Sequence, residues 1–395
     1  MAVKKTLYEA NRGELTCPMV LFSTQGWSDL WVSKHWIAHE FARNRMVLFV
    51  EPPSRGGRLT PKLRKVEPGL WALQLETLPY PYRAPALLRP LWRYPLQTQF
   101  ASALDVLQLG RFDVLTFDPH CQPLLARFKD RVRRLVYYAV DPVLGKEDFL
   151  WPERHVVANS DAVLAVTHRL AGLLADESGR ADIHVLPHGI DAEAASARAE
   201  DERLPEAFSL LNRDRPIIGY TGSIHDAYVD FSLVRNAALA RPDWQFVFVG
   251  PYDGSALTRK GFDIGYFDDC SNVIFCGPLP FSKLKSAIRV FDVCIVPYRS
   301  DLQNQWARRS PFKVLHYFAQ GKPVVMSNVP ALEDYPDGLI YGYHTSAGFM
   351  SAVAEALLED KDSDLRRRRS ELAQGRSFNR LIADLKGYFD KERVA

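Results

Sequence analysis

Two tandem doubly wound α/β domains are the fold class this sequence predicts, and three observations predict it. Short apolar runs recur at helix-length spacing, a polar stretch divides them into two series, and one late segment reads as helix start, helix, glycine stop and β-branched strand. The first series comprises residues 19–23, 46–50, 114–117, 134–138 and 162–166. Runs this short and apolar on both faces suit parallel strands covered by helices on each side. Residues 183–191 close the series with a strand and a turn. The polar stretch 192–215 shows no core pattern, so the first domain is set at 1–195, a linker at 196–215 and a second domain at 216–375.

The second series runs through 216–222, 244–250, 273–277, 293–298 and 323–326. Gly219 and Gly222 bracket the exit of its first strand, and Gly250 stands at the exit of its second. Open α/β sheets bind ligands at that edge. The late segment, Ser310-Pro311-Phe312-Lys313 through Gly321-Lys322-Pro323-Val324-Val325, supplies a matching helix. Pro311 suits a first helical turn, and free amides there with the Lys313 charge would welcome a phosphate. Gly321 is the stop. Neither series contains a GxGxxG fingerprint or a P-loop, which weakens dinucleotide and kinase readings.

Composition narrows the classes further. The 395 residues are 47% hydrophobic and 25% charged, enough for two cores and too apolar for disorder. The five cysteines, Cys17, Cys121, Cys270, Cys276 and Cys294, are scattered without a CxxC pair, which argues against a disulfide framework or zinc knuckle and for a reducing compartment. No apolar run reaches membrane-spanning length, and residues 1–16 lack an apolar secretory core, so a cytosolic protein is expected. A net charge of +3 is too small to argue for nucleic acid. The basic residues are nonetheless uneven: Arg55, Arg58, Lys62, Arg64, Lys65, Arg83, Arg89 and Arg93 face only Glu67 and Glu76.

With both series in place, Pro187-His188-Gly189-Ile190-Asp191 falls at the domain junction. Gly219-Tyr220-Thr221-Gly222-Ser223-Ile224, Arg241-Pro242-Asp243-Trp244, Val249-Gly250-Pro251 and Phe291-Asp292-Val293-Cys294-Ile295-Val296-Pro297-Tyr298 follow in order. Together with the Ser310 segment these phrases resemble the GT-B glycosyltransferases over nearly the whole chain. The likeness is to bacterial polysaccharide enzymes of the teichuronic-acid (TuaH-like) and group 4 type, and to the xanthan glucuronosyltransferase GumK. The resemblance implies a C-terminal domain holding a nucleotide-sugar, an N-terminal domain receiving the acceptor, and a last helix, here 376–395 opening at Ser377-Phe378-Asn379-Arg380, that crosses back to the N-terminal domain. It implies a donor site from Gly222, Ser223, Tyr298, Arg308, Phe312, Lys313 and His316. Many group 4 enzymes carry two glutamates eight apart where this chain has Arg308 and His316, so their retaining mechanism is not supported here. His316 can still hydrogen-bond a ribose hydroxyl.

Catalysis is therefore expected across the cleft. Asp141 follows the run 134–138 at the edge facing the cleft, and it matches a strand-Ala-x-Asp phrase whose Asp is the base of the xanthan enzyme. An Asx turn or cap before Pro142 is its structural alternative. Asp118 and His120 close the neighbouring strand and either hold acceptor hydroxyls or act as base in place of Asp141. Trp27, Ser28 and Asp29 follow the first strand and are candidates for acceptor binding, Trp27 by stacking on a sugar or else by packing on the first helix. His188 reads as a structural hinge residue. Asp362-Ser363-Asp364 has the DxD form but reads as a solvated helix start, and no metal or other cofactor is expected, the nucleotide-sugar being a substrate.

Residues 78–96 interleave Arg83, Arg89 and Arg93 with Leu, Trp and Tyr, a mixture that suits a membrane interface or a loop packed on the domain. The repeated Pro argues against one long amphipathic helix there. Contact with the inner face of the plasma membrane and a lipid-linked acceptor would follow from the first reading. The expected function is transfer of a sugar from a UDP-type donor to a glycan or lipid-linked hydroxyl. A UDP-sugar 2-epimerase and a non-catalytic nucleotide-sugar-binding protein are the competing classes.

Overall fold

The computed structural model describes residues 17–28, 31–56, 59–77, 89–140, 147–191, 206–225, 229–252, 262–299, 311–327, 330–360 and 363–390. In chain order the strands are β1 (Met19–Phe22), β2 (Val47–Val50), β3 (Ser54–Arg55), β4 (Lys62–Glu67), β5 (Leu70–Gln74), β6 (Glu76–Thr77), β7 (Phe112–Thr116), β8 (Val132–Ala139), β9 (Ala162–Ala165) and β10 (Ile183–Val185). They continue with β11 (Ile217–Thr221), β12 (Gln245–Val249), β13 (Val273–Phe275), β14 (Val293–Val296), β15 (Val324–Ser327) and β16 (Ile340–Tyr343).

One sheet has the order β10-β9-β8-β7-β1-β2-β5-β4 and the other β13-β12-β11-β14-β15-β16. The second is parallel throughout, and the first is parallel except where β4 runs against β5. The apolar runs become central strands because both faces are covered, as Val20, Leu48, Val114 and Ile295 show by complete burial. Strand order reverses beside β1 and beside β11. That reversal opens a crevice at the C-terminal ends of each sheet.

Several elements escaped the sequence pattern. β4 and β5 lie in the basic stretch, where Lys62, Arg64 and Lys65 are exposed on an edge strand. Charges there discourage pairing with another chain. Two of them also meet carboxylates, Arg64 donating to Glu51 at 2.7 Å and Lys62 standing 3.6 Å from Glu76, which accounts for part of the charge asymmetry. β16 was hidden by Gly342, which interrupts its apolar character. The helix Arg89–Val106 takes up only the end of the Pro-rich segment and runs through Pro95. Leu91 and Tyr94 of its first turns are 58% and 68% exposed, and residues 78–88 lie outside the described residues.

The helix Phe378–Asp390 follows a one-pair parallel bridge between Ile190 and Ser377. Its Phe378, Leu381, Leu385 and Phe389 sit in the same core as the first sheet, Phe378 stacked on Trp36 with ring centres 5.5 Å apart. Among the described residues no helix is long and apolar enough to cross a membrane.

Candidate functional site

At the C-terminal edge of the second sheet the exits of β11, β12 and β13 are stitched together by backbone. Gly222 N–H donates to the Val249 carbonyl and Gly250 N–H to the Gly277 carbonyl, each at 2.9 Å. Gly222 and Gly250 have φ of +125° and +153°, and a Cβ on Gly250 would land on the Gly222 carbonyl oxygen. Only glycine fits that approach. The turn also leaves room for a cation: a Cβ on Gly222 would come within 2.8 Å of the Lys313 Nζ.

Lys313 opens the helix Lys313–Ala319, with its ammonium 3.8 Å from the Tyr220 ring centre and 5.5 Å from that of Tyr298. The residue keeps some exposed surface, but its ammonium is enclosed, and burial pulls its pKa down to about 7. No carboxylate pairs with it among the described residues. The ring faces offset only part of that desolvation. A bound anion would be the missing countercharge. The helix is fixed to β11 through the Tyr317 hydroxyl, which accepts from Thr221 N–H at 2.8 Å and from the Thr221 hydroxyl at 3.1 Å. Gly321, with φ of +64°, ends it by donating to Phe318.

The helix start differs from the sequence expectation in one respect. It is seven residues long, and Val314 and Leu315 already donate to the carbonyls of Pro311 and Phe312 at 2.9 and 3.2 Å. Two amides expected to point at an anion are thus spent locally, and Lys313 carries the charge. His316 is buried, and burial lowers its pKa to about 4, so the imidazole is neutral at ordinary pH. It lies behind Phe312, ring centres 4.8 Å apart, and Phe312 itself packs against both sheets' cores and meets the His188 ring edge-on at 5.7 Å. Tyr298 pairs with Val229 in a single antiparallel bridge, and the Ser223 carbonyl accepts from the Tyr220 hydroxyl at 2.9 Å. Arg308 lies outside the described residues.

Across the cleft, Asp118 ends β7 as the cap of the turn Pro119–Cys121. One of its oxygens accepts from the His120 backbone N–H and meets His120 Nδ1, both at 2.9 Å. That contact favours the tautomer with the proton on Nδ1 and a basic Nε2. Asp141, two residues past the end of β8, lies outside the described residues, as does Asp29. Trp27 is part of an aromatic cluster, its ring centre 5.1 Å from both His35 and Phe49 and 5.5 Å from Trp31. Its backbone N–H donates to Glu51, and Ser28 beside it is exposed. Ser363 caps the helix Asp364–Gly375 through the Arg366 N–H, and Asp362 lies outside the described residues. Among the described residues no three His, Cys, Asp or Glu converge on a metal-sized position.

The sequence reading missed Glu153, a buried carboxylate on the helix Glu147–Asn159. Tyr137 donates to its Oε1 at 2.6 Å. Burial raises its pKa to about 7, with nearby Glu177 adding to the rise and His120 opposing it. The signal was available: Glu153 shares a helical face with Val156 and Val157, three and four residues on, both wholly buried.

Comparison with known proteins finds matches to both halves of the chain. Residues 47–194 match a family described as Glycosyltransferase Family 4, and residues 215–360 one described as Glycosyl transferases group 1. A putative teichuronic acid biosynthesis glycosyltransferase, TuaH of Bacillus subtilis, is 27% identical over 214 residues, covering 53% of this chain. The match spans about half the length of that relative, 51%. Sucrose-phosphate synthase from Thermosynechococcus elongatus superposes with a TM-score of 0.73 at 15% identity, over 95% of this chain and 98% of that one. Anabaena Alr3699/HepE, solved in complex with UDP and glucose, superposes with a TM-score of 0.64 at 15% identity, over 94% of this chain and 99% of its own. Likeness at such identity establishes a shared fold.

Proposed function

The two halves of this chain belong to the glycosyltransferase domain families that pair in the GT-B fold, and from that premise we propose that it transfers a sugar from a nucleotide-diphosphate donor to an acceptor hydroxyl in cell-surface polysaccharide synthesis. The observation that carries this reading is the enclosed Lys313 ammonium above the Gly222 turn. A buried cation without a carboxylate partner among the described residues suits an incoming diphosphate, whose charge grows as the sugar leaves. UDP is the donor nucleotide we favour, because Alr3699/HepE was solved with UDP and with UDP-glucose on the same fold. Gly222 and Ser223 would let the diphosphate approach the backbone, with Tyr298 beside it and Phe312 and His316 toward the nucleoside. Arg308 is assigned a further phosphate contact on sequence grounds.

The acceptor, a glycan or a lipid-linked sugar, is assigned to the edge of the first sheet near Trp27, Ser28 and Asp29. Asp141 takes the proton of its hydroxyl, the oxygen's electron pair attacks the anomeric carbon, and the sugar–phosphate bond breaks with its pair on the diphosphate. A second reading, favoured by the Asp118–His120 contact, gives the proton to His120 Nε2. Neither route draws on a metal or cofactor. Exposed Leu91, Arg93 and Tyr94 support peripheral contact with a membrane carrying the acceptor.

Turnover of a panel of UDP- and GDP-sugars with glycan and lipid-linked acceptors tests the proposal, with calorimetry of UDP binding in parallel. Transfer accompanied by UDP release supports it. Isomerised donor formed without acceptor would instead identify an epimerase, and binding without turnover across the panel a non-catalytic module.

A further inference from the structure

The loop that leaves β1 is exposed at Thr24, Gln25, Gly26 and Ser28, and buried polar side chains hold it from below. Ser23 is 1% exposed, Lys34 3%, His35 1% and Glu51 5%. The Ser23 hydroxyl donates to the Gln25 carbonyl at 2.8 Å and accepts from the Gln25 N–H at 3.0 Å. Lys34 donates to the Thr24 hydroxyl. His35 Nδ1 accepts from the Val32 N–H at 3.1 Å, so Nε2 carries the proton and donates to the Gly26 carbonyl at 3.0 Å. Glu51, at the exit of β2, accepts through Oε1 from the Trp27 backbone N–H at 2.6 Å and from Arg64 at 2.7 Å. The same Arg64 nitrogen reaches the Trp27 carbonyl at 3.3 Å. A surface loop can leave its backbone to water, whereas burying a lysine and a glutamate beneath one is costly even when each is paired. The loop also lies where strand order reverses, and its floor continues to β7: the Lys34 ammonium stands 5.7 Å from the ring centre of Phe117, the residue before Asp118.

We propose that Glu51 is a positioning residue for the acceptor: with Arg64 it fixes the Trp27 backbone, so that residues 24–28 present a preformed surface to the acceptor sugar. The inference rests on the reading that the acceptor binds at this edge of the first sheet. The Trp27 ring is set along with its backbone, edge-on to His35 and Phe49 with ring centres 5.1 Å apart in each case. What the clamp turns outward is neutral, the side chains of Thr24, Gln25 and Ser28, and neutral donors and acceptors suit sugar hydroxyls. The Thr24 oxygen accepts from Lys34 and keeps its own proton to donate. A loop ordered before binding spares the acceptor the entropy of ordering it.

Glu51→Ala, Glu51→Gln and Arg64→Ala are compared with wild type in the full chain. Two measurements are made: amide hydrogen exchange at Trp27, and transfer kinetics with the donor and acceptor pair that turns over in the panel of UDP- and GDP-sugars. In Glu51→Ala the Trp27 amide should lose its protection, and KM for the acceptor should rise about 2- to 10-fold, the range for one hydrogen bond, with KM for the donor unmoved. Glu51→Gln should recover most of both, because its amide oxygen can still accept from Trp27. Arg64→Ala alters a half-exposed position on an edge strand, so it keeps the test open if the buried alanine does not fold, and it should raise the acceptor KM by a smaller factor. An unprotected Trp27 amide in the wild type overturns the proposal, as does a rise of donor and acceptor KM together. A folded Glu51→Ala protein with a loosened loop and an unchanged acceptor KM overturns it too. Absence of transfer on every pair would overturn the transferase reading and the acceptor role with it, and exchange at Trp27 would still show whether Glu51 holds the loop.

Discussion

At the exits of β11 and β12 the chain places Gly222, Gly250 and the enclosed Lys313; at the exit of β7 it places the Asp118–His120 pair, with Asp141 following β8 in sequence. Both edges occupy the same topological position in similar sheets. One gathers bare backbone and a cation short of countercharge, and the other gathers proton acceptors. The fold alone therefore does not assign the chemistry. What divides donor from acceptor is which charge each edge leaves uncompensated, and each prediction below perturbs one edge while the other serves as control.

The largest effect is expected at the acceptor edge. Asp141→Asn should lower kcat by about 10²- to 10⁴-fold, the usual contribution of a general base, with UDP affinity by calorimetry unchanged. Near-normal transfer by this variant would pass the base role to His120. Next comes the donor turn. Gly250→Ala must force a Cβ onto the Gly222 carbonyl at φ of +153°, which should cost about 2–4 kcal/mol in denaturant unfolding and weaken UDP binding as well. An alanine accommodated without loss would mean that the two strand exits are not rigidly stitched.

Third, Lys313→Ala should weaken UDP binding by about 1.5–3 kcal/mol, the range for a charge-assisted hydrogen bond. The wild-type affinity should carry a pH signature. Burial holds the free ammonium near pH 7, so UDP must recruit a proton to Lys313 above that pH, and affinity should fall as pH rises from about 7. Unchanged affinity in the alanine variant, or a pH-independent wild type, would remove Lys313 from the diphosphate site.

The sheets were legible in the sequence because a buried parallel strand is a short run of apolar residues, and 19–23, 46–50 and 293–298 all fell within a residue or two of β1, β2 and β14. β4 was not, because an edge strand is free to carry Lys62, Arg64 and Lys65 on its exposed positions, and such a strand looks like a basic loop. The donor turn was half legible. Gly222, Gly250 and Lys313 were visible as residue types, yet their mutual contact depends on the β11–β12 register, and the short 3₁₀-like bonds that consume the Val314 and Leu315 amides leave no trace in composition. Glu153 shows the converse failure. Its helical face announced burial, but the hydrogen bond it accepts comes from Tyr137, on another segment of the chain.

The smallest effect concerns stability and carries the clearest sign. In the folded protein the Lys313 pKa lies near 7, below its ordinary value of 10.5, and burial is the cause. Below about pH 7 both folded and unfolded chains hold this proton, and the full cost of enclosing the charge is present. Between about 7 and 10.5 the unfolded chain binds a proton that the folded chain has given up, so this residue makes stability rise with pH across that window. Above it both forms are neutral and the cost is gone. Lys313→Met removes the charge but keeps the apolar stem, so it should stabilise the ligand-free protein by about 1 kcal/mol at pH 6, a modest figure because the residue is partly exposed and its ammonium faces two aromatic rings. The gain should shrink steadily from pH 7 toward 10, read as the difference in denaturant midpoints between the two proteins so that every other titrating group cancels. Saturating UDP should reverse the order, because the wild type then holds its countercharge and the methionine variant has nothing to offer it. A gain of the same size at pH 6 and pH 10 would show that the ammonium is not desolvated, and the contrast between a charge-hungry donor edge and a proton-accepting acceptor edge would lose its first half.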